Sequence, residues 1–545
     1  MKIRHTVKIL LLILMLSPII LLHGCIMPNL PEFTSPAAQP PDIEEEVPPQ
    51  ADILAPPEVV RPGRFILRYS SESSMNPIVA VNRDNINLTS LIFESLFVLN
   101  NELIAEPLLV YQWHTEDNIT FTFEILPDIA MHDGSTLTAD DVAYSIRQAS
   151  QQGRHTEKLR SISNIDSDGE LTVTIELNAA NARFTRLLDI PIIKEGSIGS
   201  HLPPGTGPYI YLGPSAFRLI RFSQHRYADY FPLTSIHLRE CYDNELTTLF
   251  DDGGLSLLWD DPTGVYNLRL NRLHEPRFYN TTAFQYIGFN VNTPALRNQD
   301  VRRAIGNSIN RQLIVDEVMS VPRSGQTIAA PVAISPIFDM YDPMWEHIGQ
   351  DPLIEMAYLL ERAGLEDVDY DGFLEFIYGT GSWSAFTLDF IVNIENSHRV
   401  AAANVIADTL IRNGINTHVR AIPWALFIDE LEDGNFDMFF GETMLGADFD
   451  LSPLLLPGPL NFGGTASTSF EPFIRNFLAA STPEEVSLAG HHLINEIRIT
   501  APFAPILYKR HAFYTPIGVV GGASPSQSSI FRNFQDWTVD LLMLN

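Results

Sequence analysis

The chain has 545 residues, of which 66 are acidic and 35 basic, and it carries a formal net charge of −31 with 45% hydrophobic residues. This hydrophobic content excludes a mainly disordered chain, and the length is sufficient to bury a core without disulfides. The negative charge excludes nucleic acid and anionic membrane surfaces as ligands, because the chain would be repelled by both.

The N-terminus has the pattern of a secretion signal. Basic residues precede an apolar run over residues 9–22, which is too short for a comfortable membrane span. The run leads into His-Gly-Cys at Cys25, which resembles the bacterial lipobox, where the cysteine is joined to diacylglycerol and becomes the new N-terminus. We expect a signal peptide over residues 1–24 and a palmitoylated lipoprotein anchored through Cys25. The alternative is an uncleaved N-terminal anchor with an incidental cysteine.

The only cysteines are Cys25 and Cys241. With Cys25 committed to lipid, no disulfide is available to the mature domain, and we expect Cys241 to be an inert thiol. Residues 25–62 are rich in proline, carry an acidic cluster and show no helical or strand periodicity. They are predicted to form an extended linker that holds the folded body away from the membrane.

Strand patterns begin just after this linker. Phe65, Leu67 and Tyr69 alternate with polar neighbours, and apolar residues at 119, 121, 123 and 125 do the same. This alternation predicts two half-buried strands. Turns are predicted at 132–134 and at 205–208, where glycine and proline are concentrated.

Helix patterns alternate irregularly with the strand patterns to the C-terminus, as expected of an α/β protein with more than one lobe. Thr138, with Asp141 at the capping-box position, predicts a helix start. Further amphipathic helices are predicted from Asp300, from Asn310 and near residue 400. The last of these has Val400, Ala403, Asn404, Ala407 and Leu410 on one side and ends at Asn413-Gly414.

Several sequence blocks occur in a defined order along the chain. They are residues 93–97 (FESLF), 132–142 (HDGSTLTADDV), 205–209 (GTGPY), 288–290 (GFN), 300–305 (DVRRAI), 310–311 (NR), 413–415 (NGI) and 436–438 (FDM). Together they resemble the peptide and nickel type of extracytoplasmic solute-binding protein, typified by oligopeptide- and dipeptide-binding proteins. The resemblance extends from about residue 65 to 540.

The resemblance implies an α/β, two-lobed hinged fold of the periplasmic-binding-protein (Venus-flytrap) type, with an extra subdomain in the first lobe. We assign lobe I to residues 63–285, including the subdomain at about 95–200. Lobe II is assigned to 286–496, and residues 497–545 return to lobe I. In such a fold, solute binding shifts the molecule from an open to a closed state.

The same resemblance implies the binding component of an ABC importer, which captures peptides outside the membrane and delivers them to permease subunits and their ATPases. We expect a monomer on the outer face of the cell membrane, with no cofactor, no metal and no catalytic residue. Alternatives are a nickel chelate or sugar as the solute, or a peptide-sensing receptor. A secreted hydrolase is the least favoured, because no GxSxG, HExxH or CxxC motif is present.

Two residues match ligand contacts of peptide-binding relatives. The resemblance implies that Asp448 pairs with the α-ammonium group of a peptide and that Trp424 stacks against the ligand. Relatives carry a tryptophan three residues before the aspartate, and Leu445 stands there in this chain. The alternatives are a loop-capping or surface role for Asp448 and core packing for Trp424.

An acidic loop resembles the start of an EF-hand. Asp367, Asp369 and Asp371 have the spacing of calcium ligands, but the twelfth position is Tyr378 and not glutamate. We favour a tight acidic turn without a metal, and the alternative is a calcium site.

Overall fold

The structure is a computed structural model that describes residues 63–213, 215–265, 268–319, 327–348, 352–379 and 381–544. The predicted signal peptide, Cys25 and the linker lie outside these residues. Within the described part of the chain, no helix is both long and apolar enough to cross a bilayer.

The strands are numbered in chain order. They are β1 Ile66–Tyr69, β2 Phe97–Leu99, β3 Ala105–Pro107, β4 Val110–His114, β5 Thr120–Ile125, β6 Ile162–Ser167, β7 Thr172–Leu177, β8 Tyr209–Tyr211, β9 Arg218–Arg221, β10 Ser235–Glu240, β11 Leu258–Asp260, β12 His274–Phe289, β13 Thr327–Ala329, β14 Leu365–Glu366, β15 Glu375–Ile377, β16 Trp383–Ala385, β17 Thr387–Asn393, β18 Asn416–Ile422, β19 Met438–Met444, β20 Phe503–Pro516, β21 Val520–Gly521 and β22 Thr538–Val539.

The α-helices are numbered in the same way. They are α1 Arg83–Thr89, α2 Ala139–Gln151, α3 Leu246–Asp251, α4 Gln299–Ser308, α5 Arg311–Leu313, α6 Pro352–Arg362, α7 Ser397–Arg412, α8 Trp424–Asp433, α9 Ser452–Leu455, α10 Glu471–Ala479 and α11 Pro483–Thr500. A short π-helical turn, Ile314–Val318, follows α5.

The N-terminal part contains two four-stranded sheets. One has the order β1-β10-β9-β8, in which β1 runs parallel to β10. The buried Phe65, Leu67 and Tyr69 confirm the first predicted strand. The other sheet has the antiparallel order β4-β5-β7-β6. Its strand β5 confirms the second prediction, although Ile119 lies just before the strand and remains 37% exposed.

Helix α2 packs on this second sheet and begins as predicted. The Thr138 backbone N–H donates to Asp141 Oδ2 at 3.0 Å, which gives the N-terminus of the helix its capping box. Asp141 is fully buried and also accepts a 2.8 Å bond from the Glu195 N–H. Its carboxylate therefore fixes the helix start and a distant loop together.

The predicted turn at 205–208 packs against residues 92–93. The Gly207 N–H donates to the Ile92 carbonyl at 2.9 Å, and a Cβ on Gly207 would lie 2.4 Å from the Ile92 carbonyl carbon. Only glycine allows this close backbone approach.

The largest sheet is built on two long antiparallel strands, β12 and β20. Its order is β11-β20-β12-β19-β17-β18, with β13 also paired to β20. The pairing of β12 with β20 is irregular between Asn280 and Phe284. The side chains of Thr281 and Thr282 donate there to the Lys509 and Leu445 carbonyls at 2.7 and 2.6 Å. These bonds satisfy carbonyl groups around the break in the ladder.

At this irregular region, the two strands pass from one hydrophobic core to another. One core draws on residues 65–279 and 513–544, whereas two others draw mainly on residues 284–508. Both long strands thus run from one set of cores into the other, which gives the molecule its two lobes. We propose that lobe I ends near residue 280, close to the predicted 285, and that the return to lobe I begins near 510, later than the predicted 497.

Two predicted helices differ from the structure in detail. The helix expected from Asp300 begins one residue earlier, because the Asn298 side chain accepts from the Asp300 N–H and caps it. In α7, Asn404 is exposed and not on the inner face, which consists of Ala402, Ala403, Ile406, Ala407 and Leu410. Successive helical residues turn by about 100°, so Asn404 points away from a face that includes Ala403.

Candidate functional site

A cavity of about 680 Å³ lies between residues 154–189 of the proposed lobe I and residues 444–478 of lobe II. Small-molecule sites in proteins occupy roughly 300–1,000 Å³. Its wall combines aliphatic side chains, among them Leu187, Leu456 and Ile474, with several charged groups. An apolar wall with a few charged groups is typical of a solute site.

Asp448 lies in this wall, on the loop that follows β19. Only 2% of the residue is exposed, so the surface-acid alternative is excluded. Asn181 Nδ2 donates to its Oδ2 at 2.8 Å, and the Asp450 N–H donates to its Oδ1 at 3.3 Å, which is a loop-capping bond. Burial, followed by the charge of Asp450, raises the pKa of Asp448. The carboxylate would therefore gain from a cation placed beside it.

Arg183 holds the two sides of the cavity together. It donates from lobe I to the carbonyls of Asp448, Phe477 and Ala480, at 3.3, 2.8 and 3.0 Å. Burial lowers its pKa to about 10, which still leaves it charged at neutral pH. With three carbonyls to accept from it, Arg183 is committed to joining the lobes.

Some charges of the wall are paired within the protein. Arg160 Nη2 lies 2.5 Å from Asp450 Oδ2, again across the lobes. Lys158 forms an ion pair with Asp189. Burial and the neighbouring Arg154 lower the pKa of Lys158, while Asp448 acts in the opposite direction.

Other cationic or polar groups of the wall have no such partner. Arg154 lines the cavity with an exposed side chain, and desolvation by the surrounding protein, followed by the charge of Arg83, lowers its pKa to about 10. His155 is 7% exposed, and its Nε2 atom is buried without a hydrogen-bond partner among the described residues. Burial, Arg154 and Lys158 lower the pKa of His155 well below its usual value, so its ring is neutral at neutral pH.

The sequence did not single out Asn181, Arg183, Lys158 or Arg154. Each lies in a segment without periodicity, and polar residues in such segments are normally solvated. What distinguishes them is that they lie close to a loop about 270 residues further along the chain. Asn181 and Asp448, which share a hydrogen bond, are 267 residues apart in the sequence. The sequence carries no local signal for that proximity.

Trp424 is not among the residues that line the cavity with Asp448. It is the first residue of α8, its N–H donates to the Glu395 carboxylate at 3.1 Å, and its ring stacks on Phe427. With 52% of the residue exposed, it is not a core side chain. The structure does not bring Trp424 and Asp448 to one site, and ligand contact at Trp424 stays a prediction.

A second cluster of charges joins the lobes at the long strands. Lys509 on β20 is 1% exposed and forms ion pairs with Asp261 and with Glu442, the latter at 3.3 Å. Arg399 Nη2 lies 2.6 Å from the same Glu442 carboxylate. Burial alone would raise the pKa of Glu442, but Lys509 and Arg399 lower it to about 2.

The acidic loop is the place where a metal could be held. One carboxylate oxygen each of Asp367, Asp369 and Glu375 lie within 4.8 Å of one another. The Gly372 N–H donates to Asp367 and the Val368 N–H to Glu375, at 3.1 and 2.9 Å, as in a tight acidic turn. Because acidic groups in turns often lie together without an ion, our prediction remains a turn without a metal.

Comparison with known proteins extends these observations. Residues 105–458, more than half of the chain, match the family model of bacterial extracellular solute-binding proteins, family 5 Middle. The oligopeptide-binding protein AppA of Bacillus subtilis is 22% identical over 367 residues, which cover 62% of this chain and 64% of that relative. The match therefore spans less than two thirds of the relative's length.

Solved structures share the fold. The ABC transporter substrate-binding protein CtaP of Listeria monocytogenes aligns with a TM-score of 0.71 at 17% identity, covering 88% of this chain and 100% of that one. NikZ of Campylobacter jejuni, in complex with Ni(L-His), aligns with a TM-score of 0.62 at 17% identity, covering 87% and 99%. With its two lobes and the match to residues 105–458, the chain belongs to family 5 of the bacterial extracellular solute-binding proteins.

Proposed function

We propose that this protein is the solute-binding component of an ABC importer and that it captures peptides outside the membrane. Membership of family 5 supports solute binding. The oligopeptide-binding relative and the cavity between the lobes support a peptide as the solute. The closed, loaded protein would deliver the peptide to permease subunits that are driven by ATPases. Binding and release require no catalysis, so the protein acts without enzymatic activity.

The observation that carries this proposal is the carboxylate of Asp448. It is almost fully buried, it faces a cavity, and no basic side chain of the described residues forms an ion pair with it. Removing a carboxylate from water without a partner costs several kcal/mol, of the order of 2–5 in proteins. The α-ammonium group of a peptide would supply the missing cation.

The remainder of the peptide would be held less selectively. An extended peptide can bond through its backbone in the manner of an added strand, which tolerates many sequences. We propose that Trp424 contributes a flat apolar surface when the lobes rearrange around a ligand. Its half-exposed ring at the start of α8 is available for such a contact.

We also propose that Cys25 anchors the protein, as a monomer, to the outer face of the membrane. The proline-rich linker that follows would leave the lobes free to turn. Cys25→Ser should move the protein from the membrane fraction to the soluble fraction and abolish labelling with radioactive palmitate. Unchanged fractionation of the variant would favour the uncleaved-anchor alternative.

Native mass spectrometry of tag-free protein identifies the solute directly. We expect the protein to be purified with a mixture of peptides, which mild denaturation would release. A nickel chelate or a sugar as the only bound molecule would reject peptide capture. Uptake of a labelled peptide by cells, lost on gene deletion, separates import from peptide sensing.

A further inference from the structure

Helix α10 of lobe II ends against lobe I. The last carbonyl groups of an α-helix have no partner within the helix and carry the negative end of its dipole. At the end of α10, the carbonyls of Phe477, Leu478 and Ala480 all accept from lobe I. Arg183 donates to the first and the last of them, at 2.8 and 3.0 Å, and the Ala182 backbone N–H donates to the second at 2.8 Å. The C-terminus of a helix in lobe II is therefore capped by lobe I.

Arg183 fits this position through its charge, its shape and its surroundings. Only 3% of the residue is exposed, and its guanidinium carbon lies 4.7 and 5.5 Å from the ring centres of Phe477 and Phe338 of lobe II. A guanidinium presents five N–H donors in one plane, so a single side chain can bond several carbonyls. Arg183 is not among the residues that line the cavity described above. Its bonds can therefore hold the lobes together without competing with a solute.

Further contacts between the lobes surround this cap. Arg186 Nη2 of lobe I lies 2.8 Å from Asp339 Oδ2 of lobe II. Asn118 Nδ2 of lobe I donates to Ser481 Oγ of lobe II at 3.0 Å, and the ion pair of Arg160 crosses the lobes as well. Each of these bonds joins two atoms of the protein, so none of them requires a bound solute.

We propose that Arg183 is a latch that holds the two lobes together before a solute binds. Opening the lobes would break its charge-assisted hydrogen bonds and leave the carbonyls of α10 without their donors. The equilibrium between open and closed forms is thereby shifted towards closure, so the solute has to supply less of the free energy of closing. Arg183 is a positioning residue in this role. The inference goes beyond the proposed function and is independent of which solute is captured.

Arg302 provides a matched control within one lobe. It is 7% exposed and caps helix α11 by donating to the Thr500 and Ala501 carbonyls. Burial lowers the pKa of both arginines to about 10, so both are charged at neutral pH. Helix α4, which carries Arg302, belongs to the proposed lobe II together with both carbonyls. Arg183→Gln and Arg302→Gln should both lower the midpoint of urea unfolding, but only Arg183→Gln should open the lobes.

The test measures the distance between nitroxide labels at Glu116→Cys of lobe I and Glu484→Cys of lobe II. Both positions are exposed and lie close in sequence to the contact between Asn118 and Ser481, so their separation increases when the lobes open. The native cysteines of the full mature chain are replaced by serine. Bound solute is removed by mild denaturation and dialysis, and circular dichroism checks that the fold is recovered. Dipolar electron paramagnetic resonance then gives the populations at short and at long distance.

The wild type and Arg302→Gln should show mainly the short distance. In Arg183→Gln, the ratio of the short to the long population should fall at least about tenfold, as the loss of a charge-assisted hydrogen bond predicts. Arg183→Lys is the milder variant, in case Arg183→Gln does not fold. Its ammonium group cannot reach the Phe477 and Ala480 carbonyls together, so the ratio should fall about threefold.

A wild type that shows only the long distance would overturn the inference. The same holds if either Arg183 variant keeps the wild-type ratio, or if Arg302→Gln opens the lobes as far as Arg183→Gln. These outcomes would leave peptide capture intact, because the measurement needs no peptide. Conversely, a sugar or a nickel chelate as the only bound molecule would reject peptide capture and leave the latch untouched.

Discussion

Asp448 shows how a single buried carboxylate can be prepared for a ligand. Its backbone carbonyl is held by Arg183 and one side-chain oxygen by Asn181, so the group is oriented before a ligand arrives. Its pKa is raised by burial and by the charge of Asp450, and Asn181 and Arg183 offset this rise only in part. An oriented carboxylate whose charge is only partly compensated prefers a cation at one point in the cavity.

We predict that Asp448→Asn weakens binding of a free peptide by about tenfold or more, because a charge-assisted bond becomes a neutral one. The same peptide with an acetylated N-terminus should bind both proteins about equally. Calorimetry of the four combinations measures the coupling between the carboxylate and the amino group. Asp408→Asn, on the exposed side of α7, is the control. Equal losses for the free and acetylated peptides would remove the assignment of Asp448.

Individual elements were predictable where their signals are local. The capping box of α2 and the alternation in β1 involve residues within a few positions of one another, and both are confirmed. Asn404, which was predicted on the inner face of α7 but is exposed, shows the limit of such patterns. A small polar residue beside an apolar stripe is easily assigned to the wrong side of a helix. The loops that line the cavity around Asp448 have no recognisable sequence pattern, because their residues act through contacts between distant segments.

For the start of α2, we predict that Asp141→Ala destabilises the protein by about 2–4 kcal/mol. The change removes the cap of α2, leaves the backbone N–H groups of Thr138 and Glu195 without this acceptor and breaks a 3.2 Å ion pair with Lys194. Urea unfolding followed by circular dichroism measures the loss. Asp140→Ala, at the adjacent half-buried position, should cost much less. Similar midpoints for the two variants would contradict this account of the cap.

The two lobes are connected by the long strands β12 and β20, and the boundary between the lobes lies within these strands. β12 and β20 pass from the lobe I core to the lobe II cores where their pairing is irregular. Close by, Lys509 bridges Asp261 of lobe I and Glu442 of lobe II. This buried charge cluster therefore contributes both to the stability of the fold and to the relative position of the lobes.

We predict that Glu442 makes the free energy of unfolding depend on pH. Its pKa is about 2 in the folded protein, against 4.5 ordinarily. Since the folded value is depressed, the stabilisation of about 3 kcal/mol is complete above pH 4.5 and is lost as the pH falls towards 2. Glu442→Gln should flatten the dependence of unfolding free energy on pH in this window. The exposed Glu116 provides the control, and a steep dependence retained in E442Q would contradict the prediction.

Local patterns and ordered motifs were enough to predict the class of fold, the main strands and helices, and Asp448 as a candidate ligand contact. Periodicity, capping and turn chemistry act over a few residues, and the ordered blocks from residue 93 to 438 indicated the family. The folded protein was needed to show which groups surround Asp448, that Trp424 lies elsewhere and that Arg154, Arg83 and His155 line the same cavity. Charge compensation and burial depend on segments hundreds of residues apart, and these segments become neighbours only when the two lobes fold.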